Sequence, residues 1–280
     1  MIIFFNGQLV PEEQANISVF DRGFMYGDGI FETLRLFNGK PFRWQEHLER
    51  FQRGAEFLKI EPPFSADVLR GFADQLVAKN RMPDSILRLV LTRGPGARGY
   101  SPKNAQRRPT MVMSLHPPPE VNSAHPPRWK LIVSSHRLPA NEPLAQFKTC
   151  NKLPQILARG EADAAGADEA LLTNTDGFVV EGSGSNLFWI QNDAVCTAPL
   201  ASGVLPGVTR AAVLDICGLL RLKVREAGVR PEELRQAQGV FLSLSSFGVV
   251  EALALDGHDL KRAALFEEIR QAYAGMVKAG

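Results

Sequence analysis

The sequence predicts a two-domain protein of the α+β class. Strand patterns joined by tight turns alternate with two amphipathic helix patterns over residues 1–117, and a proline-rich segment follows at residues 118–127. Residues 128–280 contain a longer series of strands with helices beside them. We therefore expect a small α/β sandwich domain, a short linker and a larger domain.

The amino-terminal part begins as antiparallel sheet. "IIFF" (2–5) and "QLV" (8–10) flank Asn-Gly, the dipeptide most favoured in a tight hairpin turn, and "IFETLRLFNGKPF" (30–42) repeats the pattern. Apolar residues three or four positions apart then predict one helix from Trp44 and a second one after an N-cap at Ser65. Two further strand patterns complete this domain, at residues 86–94 and 110–116.

The domain boundary is predicted from proline content. "HPPPEVNSAHPP" (116–127) has five prolines, which disfavour both a helix interior and a central strand. After this boundary, strand patterns occur at residues 129–136, 169–174, 177–182, 186–190, 194–198 and 239–245. Helix patterns occur after Lys148, at residues 210–222 and near residues 261–278.

Composition limits the classes of partner. The 280 residues carry 32 basic and 30 acidic side chains, a balance that does not provide a broad phosphate-binding surface for nucleic acid. The three cysteines form no CxxC pair and the histidines are scattered, so we expect neither a disulfide framework nor a metal site. Because the first residues lack a basic region and a long apolar run, we expect no membrane span and a cytoplasmic location.

Two segments combine residues that suit a small anionic or flat ligand. Gly207, Val208 and Thr209 directly precede a predicted helix, where backbone N–H groups, the helix dipole and a hydroxyl can bind an anion, although Thr209 could be an ordinary N-cap. Glu181 ends an apolar strand and is followed by small residues that would let a ligand approach, but an exposed strand end is the alternative.

Two more segments carry cationic side chains. The glycine-rich loop "LTRGPGARGYSP" (91–102) presents Arg98 and Tyr100, which suit carboxylates, although a solvated surface loop would have the same composition. Lys148 precedes a helix pattern in "FKTCNKLPQILARGEA" (147–162). Spacing alone does not distinguish Lys148 from the other lysines, most of which are expected to be solvated.

Six ordered motifs together resemble one known family. They are "FDRGFMYGDGIFETLR" (20–35), "EHLERF" (46–51), "RGPGARGYSP" (93–102), "KTCNKL" (148–153), "EGSGSNLFWI" (181–190) and "LPGVTR" (205–210). In this order they resemble the class-IV aminotransferases, the fold-type IV pyridoxal-phosphate enzymes. The resemblance extends from about residue 2 to residue 255. It implies pyridoxal 5'-phosphate as cofactor and a larger domain that is β-barrel-like with flanking helices.

The resemblance also implies a role for each candidate residue. Lys148 would form a Schiff base with the cofactor and then act as the catalytic base, and Glu181 would face the pyridine nitrogen. The remaining cofactor contacts are expected from Arg50, Ser183, Asn186, Gly207, Val208, Thr209 and Ser245, with Glu32 nearby. The substrate-binding residues are expected to be Tyr26, Phe31, Arg98, Tyr100 and Ser246. A small amino-carboxylate substrate and a homodimer are further implications.

The motifs favour one branch of the family. "RGPGARGYS" and "KTCNKLPQILAR" look most like the 4-amino-4-deoxychorismate lyases, which release pyruvate and 4-aminobenzoate in folate biosynthesis. The branched-chain branch usually has a tyrosine where this chain has Lys152, and the D-amino-acid branch has a tyrosine at Phe31 and a histidine at Tyr100. An amino-acid transaminase of either type remains the alternative, and a non-catalytic phosphate-ligand binding protein is a remote one.

Overall fold

The computed structural model describes residues 1–105, 108–121 and 126–279. Residues 1–118 and 147–151 form one compact unit, and residues 119–146 and 152–280 form a second. The predicted linker at 118–127 lies partly outside the described residues. We expected the Lys148 segment within the larger domain, but residues 147–151 group with the first unit because their backbone pairs with a strand of that unit.

The first unit is a six-stranded sheet covered by helices. Its strands are β1 (Ile2–Phe5), β2 (Gln8–Pro11), β3 (Gly29–Phe37), β4 (Lys40–Pro41), β5 (Ser85–Thr92) and β6 (Thr110–His116). Its helices are α1 (Arg22–Tyr26), α2 (Trp44–Leu58) and α3 (Ala66–Asn80). The strand order is β2-β1-β6-β5-β3-β4 and all neighbours are antiparallel. The predicted α/β sandwich is confirmed.

Local sequence explains the hairpins and the second long helix of this unit. Asn6 and Gly7 both have positive φ, as do Asn38 and Gly39, which is the backbone conformation that a tight hairpin turn requires. The Ser65 side chain accepts a hydrogen bond from the Val68 amide at 3.4 Å and caps α3. The two predicted Asn-Gly turns and the predicted cap are confirmed.

Alternation along the strands separates two faces of this sheet. On β5, Leu87, Leu89 and Leu91 are buried in the cluster that also contains apolar residues of α2 and α3. Because successive side chains of a strand point to opposite faces, Arg88 lies on the face away from these helices. Glu32 of β3 lies on the helix-covered face and is buried. This separation determines which polar residues of the sheet can meet.

The second unit is built around a closed ring of six strands. Its strands are β7 (Arg128–Leu138), β8 (Glu169–Asn174), β9 (Val179–Gly182), β10 (Asn186–Gln191), β11 (Ala194–Thr197), β12 (Lys223–Glu226), β13 (Gly239–Leu244), β14 (Gly248–Leu255) and β15 (His258–Asp259). The order β10-β13-β14-β7-β8-β9 closes through a β9–β10 pairing, while β11, β12 and β15 extend the sheet. The barrel-like architecture expected from the resemblance is confirmed.

Helices pack against this barrel. They are α4 (Leu153–Ala164), α5 (Val208–Leu219), α6 (Pro231–Leu234) and α7 (Ala264–Ala279). Ala158 and Ala162 of α4 are fully buried in a cluster with Ala170 and Leu172 of β8, because small side chains one turn apart let the helix approach the sheet. Within the described ranges, no helix combines the length and the apolar content that crossing a bilayer requires.

One barrel strand was not predicted from the sequence. β14 has the sequence "GVVEALAL", in which Glu251 interrupts an apolar run and hides the strand pattern. In the structure Glu251 is buried and pairs with Arg128 at 2.9 Å and with Arg262 at 3.1 Å. These ion pairs satisfy the carboxylate inside the strand, which is a contact that local patterning does not reveal.

Candidate active site

The position of Lys148 is set by backbone pairing with the start of β3. Thr149 forms an antiparallel bridge with Ile30, and the Phe31 amide donates a hydrogen bond to the Lys148 carbonyl at 2.9 Å. The preceding residue, Phe147, stacks on Phe57 of α2, so both ends of the segment are held. The Lys148 Nζ lies 4.7 Å from the centre of the Phe31 ring. The amine therefore has a fixed position beside a strand rather than a freely solvated one.

A second cation contacts the same ring. The Arg88 guanidinium carbon lies 3.6 Å from the centre of the Phe31 ring, and Arg88 is directly opposite Thr33 in the β3–β5 pairing. Among the described residues, its side-chain hydrogen bonding consists of one 3.4 Å contact to the Thr33 hydroxyl. Burial lowers the pKa of the half-buried Arg88 guanidinium, and the Cys150 and Glu32 side chains oppose that shift. A bound carboxylate would restore the interactions that burial removes.

Sequence reasoning missed Arg88, although one signal was present. Arg88 is the single charged residue in an otherwise apolar strand, "SILRLVLT". Alternation places its side chain on the face opposite the leucine core, which is compatible with an ordinary solvated arginine. Only the register of β5 against β3 brings the side chain to Phe31.

A buried ionic cluster lies on the other face of β3. Arg50 of α2 donates to both carboxylate oxygens of Glu32, from Nε to Oε1 and from Nη2 to Oε2, each at 2.7 Å. The His47 Nδ1 lies 2.7 Å from Glu32 Oε2. All three side chains are at least 95% buried, so the orientation of the Arg50 guanidinium is fixed by the carboxylate.

Electrostatics keeps this cluster in one charge state near neutral pH. Burial alone would raise the pKa of Glu32, but the Arg50 charge and the hydrogen bonds from His47 and Arg50 hold the pKa at about 2. Burial lowers the pKa of His47, and although Glu32 acts in the opposite direction, the Arg50 and Lys148 charges add to the lowering. Glu32 is therefore ionised and His47 is neutral, with Nδ1–H as the donor to the carboxylate.

Two of the expected substrate residues, Tyr26 and Tyr100, contact each other in the first unit, and Arg98 lies on the same loop as Tyr100. The Gly99 amide donates to the Tyr26 hydroxyl at 3.0 Å, and the Tyr26 and Tyr100 rings are 5.5 Å apart. Arg22 donates to the carbonyl oxygens of Gly99 and Tyr100 at 2.8 and 3.0 Å. The Tyr100 side chain is exposed, and so is that of Arg98. The loop is thus fixed through its backbone while both side chains remain accessible.

In the second unit, three polar residues form a row across the barrel. Asn186 of β10 is directly opposite Glu181 of β9 on one side and Ser243 of β13 on the other. Directly opposite residues of antiparallel strands share a face, so the three side chains lie on the same side of the sheet. The Ser243 hydroxyl is buried and has no hydrogen-bond partner within the part of the chain that the structure describes. No signal in the sequence distinguished Ser243.

Two residues of this row, Glu181 and Asn186, hydrogen-bond to the segment that leads into α5. The Leu205 amide donates to Glu181 Oε2 at 3.0 Å, and the Asn186 amide group donates to the Leu205 carbonyl at 2.9 Å. Gly207 is the N-cap of α5, and a Cβ on Gly207 would collide with Asn186 Oδ1. Since no side chain of the described residues caps this helix, the N–H groups of its first turn, with Val208 and Thr209, are available to an anion.

The remaining candidates lie in two turns of the second unit. Ser183 lies in the turn between β9 and β10, where its hydroxyl donates to Glu169. Ser245 and Ser246 lie in the turn between β13 and β14 and are half-buried. The first unit therefore provides an amine and a guanidinium at one aromatic ring, and the second provides a carboxylate, a row of polar residues and an uncapped helix start.

Comparison with known proteins identifies the family. The model of the family "Amino-transferase class IV" matches residues 29–255, and the chain belongs to this family. A putative branched-chain-amino-acid aminotransferase of Methanocaldococcus jannaschii is 34% identical over 92% of this chain and 88% of that protein. A D-alanine aminotransferase of Bacillus licheniformis is 28% identical over 93% of this chain and 90% of that protein.

Solved structures of the family are also similar. The branched-chain amino acid aminotransferase of Escherichia coli has a TM-score of 0.91 and 27% identity, covering 98% of this chain and 93% of that one. A putative 4-amino-4-deoxychorismate lyase from Legionella pneumophila has a TM-score of 0.87 and 27% identity, covering 95% of this chain and 97% of that one. The chain is an enzyme of the transaminase or lyase kind.

Class-IV aminotransferases use pyridoxal 5'-phosphate, and the residues of this chain fit that cofactor. The uncapped start of α5 suits a phosphate, and the absence of a Cβ at Gly207 lets Asn186 lie against this start. A carboxylate and an amine, the other two groups that the cofactor needs, are present at Glu181 and Lys148. The buried Ser243 hydroxyl, in the same unit as Glu181, is one more hydrogen-bond donor.

We predict that Gly207→Ala weakens cofactor binding. The new Cβ would collide with Asn186 Oδ1 and displace either this side chain or the start of α5. We expect the dissociation constant for pyridoxal 5'-phosphate, measured by titrating apoprotein and following absorbance, to rise at least tenfold. Gly218→Ala is the matched control, because a Cβ on Gly218 of the same helix has no atom within 4 Å. Equal affinities for the two variants would contradict this account.

We predict a pH-dependent loss of stability for Glu32→Gln. The substitution leaves buried Arg50 without its counter-charge, so the free energy of unfolding at pH 7 should fall by roughly 3–5 kcal/mol. Because the pKa of folded Glu32 is about 2, below its ordinary value of 4.5, the wild-type advantage is complete above pH 4.5 and is lost as pH falls towards 2. Urea unfolding of the wild type and of Glu32→Gln from pH 7 to pH 3 measures how far their free energies of unfolding converge.

The control for this series is Glu46→Gln, which removes an exposed carboxylate from α2, the helix that carries Arg50. Its unfolding free energy should stay close to that of the wild type at each pH. A constant difference between Glu32→Gln and wild type across the whole pH range would show that the Glu32 charge is not the cause.

Proposed function

We propose that this chain is an amino-acid transaminase that uses pyridoxal 5'-phosphate. The support for transfer rather than elimination is that both curated relatives described above are named as aminotransferases. The support for an amino-carboxylate substrate is geometric: Lys148 Nζ and the Arg88 guanidinium both contact the Phe31 ring. A deoxychorismate lyase, which the motifs favoured, is the second candidate, supported by the similar structure from Legionella pneumophila.

In this proposal Lys148 is the catalytic residue. When bound, pyridoxal 5'-phosphate supplies an electron-withdrawing ring that stabilises negative charge on the carbon bearing the substrate nitrogen. The Lys148 amine holds the cofactor before substrate arrives and afterwards removes the proton from that carbon. In a transaminase Lys148 would return this proton to the cofactor carbon bonded to the substrate nitrogen. In a lyase the substrate would lose pyruvate instead. The backbone pairing of residues 147–151 with β3 keeps the Nζ in place for both transfers.

Glu181 and the start of α5 hold the other ends of the cofactor. Glu181 provides the negative charge that keeps the pyridine nitrogen protonated, and its hydrogen bond from the Leu205 amide fixes its direction. Val208 and Thr209 offer the first-turn donors of α5 to the phosphate. We assign the remaining cofactor contacts to Arg50, Asn186, Gly207 and Ser245. Ser183, whose hydroxyl donates to Glu169, has an indirect part in this proposal.

Arg88 is our addition to the substrate-binding residues. Its guanidinium is half-buried and contacts Phe31, whose ring also contacts the catalytic amine. A carboxylate held there by a charge-assisted hydrogen bond would place an amino acid close to Lys148. The other proposed substrate residues are Tyr26, Phe31, Arg98, Tyr100 and Ser246.

We also propose a homodimer. Ile17, Val19, Phe20 and Phe24 of the first unit expose large apolar side chains close together in sequence, and α4 of the second unit exposes three more. Clustered exposed apolar residues are typical of a protein interface. We keep the expectation of a cytoplasmic location and of no nucleic-acid partner. All three cysteines are free, which fits a reducing compartment.

The deciding experiment measures one half of the reaction. Purified enzyme loaded with pyridoxal 5'-phosphate is mixed with single D- or L-amino acids in the absence of any keto acid. A transaminase should release about one equivalent of keto acid per active site and lose the visible absorbance band of the bound cofactor, and the responsive amino acid identifies the stereochemistry. Lys148→Ala should abolish the release. If no amino acid reacts while deoxychorismate yields pyruvate catalytically, the lyase replaces our proposal.

We predict that Arg88→Met impairs substrate binding specifically. The loss of a charge-assisted hydrogen bond to a carboxylate should lower kcat/KM for the amino acid by about ten- to a hundredfold, since such bonds contribute roughly 1.5–3 kcal/mol. Cofactor affinity should not change. Arg70→Met is the control, because Arg70 pairs with Asp74 on the exposed side of α3. An unchanged kcat/KM in Arg88→Met would remove Arg88 from the substrate site.

A further inference from the structure

Glu169 is a buried carboxylate that the proposed chemistry does not use. It is the first residue of β8 and its side chain is 2% exposed. Among the described residues, the hydrogen bonds to its carboxylate come from backbone N–H groups and serine hydroxyls, which carry no charge. Burying an ionised group without an opposite charge is costly unless several donors hydrogen-bond to it. The hydrogen-bond donors around Glu169 therefore indicate which part of the structure its carboxylate stabilises.

Four of the five donors come from one turn, residues 182–185 between β9 and β10. Oε1 accepts from the Ser183 amide at 3.1 Å, from the Ser183 hydroxyl and from the Ala170 amide at 2.9 Å. Oε2 accepts from the Gly184 amide at 3.2 Å and from the Ser185 hydroxyl at 3.1 Å. Both oxygens of the carboxylate are thus engaged by the turn.

The turn itself is tight and cannot easily reorganise around a different partner. The Gly182 amide donates to the Ser185 carbonyl at 2.7 Å, and the Ser183 amide also donates to the Ala170 carbonyl at 2.9 Å. A Cβ on Gly182 would collide with the Ser185 hydroxyl and approach Glu169 Oε2 at 3.1 Å. The carboxylate therefore occupies the space that a longer side chain of the turn would need.

This turn links the two residues that direct α5. Glu181 of β9 directly precedes the turn and Asn186 begins β10 after it, and both hydrogen-bond to the backbone of Leu205. We propose that Glu169 is a positioning residue: by holding the 182–185 turn, it sets the orientation of Glu181 and Asn186 and thereby the affinity for pyridoxal 5'-phosphate. The Ser183 hydroxyl acts in the same way, through Glu169. This inference rests on the proposed function of the site.

The first test is Glu169→Gln, which keeps the shape but replaces one acceptor oxygen by an NH₂ group that faces N–H and O–H donors. We expect the dissociation constant for pyridoxal 5'-phosphate, measured by titrating apoprotein, to rise roughly ten- to a hundredfold, the range found when a supporting contact of a binding group is lost. We also expect the pH at which the visible band of the bound cofactor titrates to shift, because Glu181 is displaced. A merely structural role would leave that titration unchanged.

Glu161→Gln is the matched control. The Glu161 carboxylate of α4 also accepts from serine donors, the Ser134 hydroxyl at 2.6 Å and the Ser135 amide at 2.9 Å, but it is only half-buried. This variant should bind the cofactor like the wild type. If Glu169→Gln also binds the cofactor with wild-type affinity and an unchanged band titration, the positioning role is wrong while the proposed function stands. If the wild type takes up no pyridoxal 5'-phosphate, the proposed function itself fails.

A double-mutant cycle tests the part assigned to Ser183. If its hydroxyl acts through Glu169, Ser183→Ala should raise the dissociation constant in the wild-type background and have little further effect in Glu169→Gln. Fully additive effects would show that Ser183 acts independently and would overturn that part. Should Glu169→Gln fail to fold, Ser185→Ala removes one donor to Oε2 and should still raise the dissociation constant. Wild-type affinity in that variant would overturn the proposal.

Discussion

The hydrogen bonds between the start of β3 and residues 147–151 are the constraint on which the first unit's part of the site depends. They place the Lys148 backbone against Phe31, so that the amine and the aromatic ring meet without any side-chain interaction having to hold them. Backbone pairing is a strong way to fix a reactive side chain, because each hydrogen bond is buried and geometrically directed. Arg88 then meets the same ring through the register of β5, so a guanidinium suited to a carboxylate contacts the ring that also contacts the Lys148 amine.

The two faces of the sheet at β3 and β5 carry different kinds of charge for different reasons. On the helix-covered face, Glu32 neutralises Arg50 inside the core, and this pairing requires the buried, bidentate geometry that the structure shows. On the opposite face, Arg88 is half-buried and its pKa is lowered by burial, so it gains from binding an anion. The sheet therefore separates a buried ion pair from a cation suited to a ligand, because the side chains of each strand alternate between its two faces.

In the second unit, the backbone of Leu205 has a similar central position. Leu205 is held on its N–H by Glu181 and on its C=O by Asn186, and α5 begins shortly afterwards, at Val208, with an uncapped first turn. The acid and the anion-binding helix start are thereby positioned relative to each other. Glu169 adds a layer beneath them, since its carboxylate holds the turn that connects the Glu181 and Asn186 strands. The effects of replacing these residues should not be additive, because the residues share hydrogen-bonded neighbours.

The sequence by itself determined the local elements and the family. Asn-Gly turns, helix periodicity and the Ser65 cap depend on interactions between near neighbours, and the order of six motifs along the chain indicated the class-IV aminotransferases. It did not predict β14, where Glu251 interrupts the apolar run, or the grouping of residues 147–151 with the first unit. Tertiary structure alone brought Arg88 to Phe31, Asn186 to Ser243 and Glu169 to the 182–185 turn. These contacts depend on strand register and closure of the barrel, and periodicity specifies the face on which a side chain lies but not the distant residue that it meets.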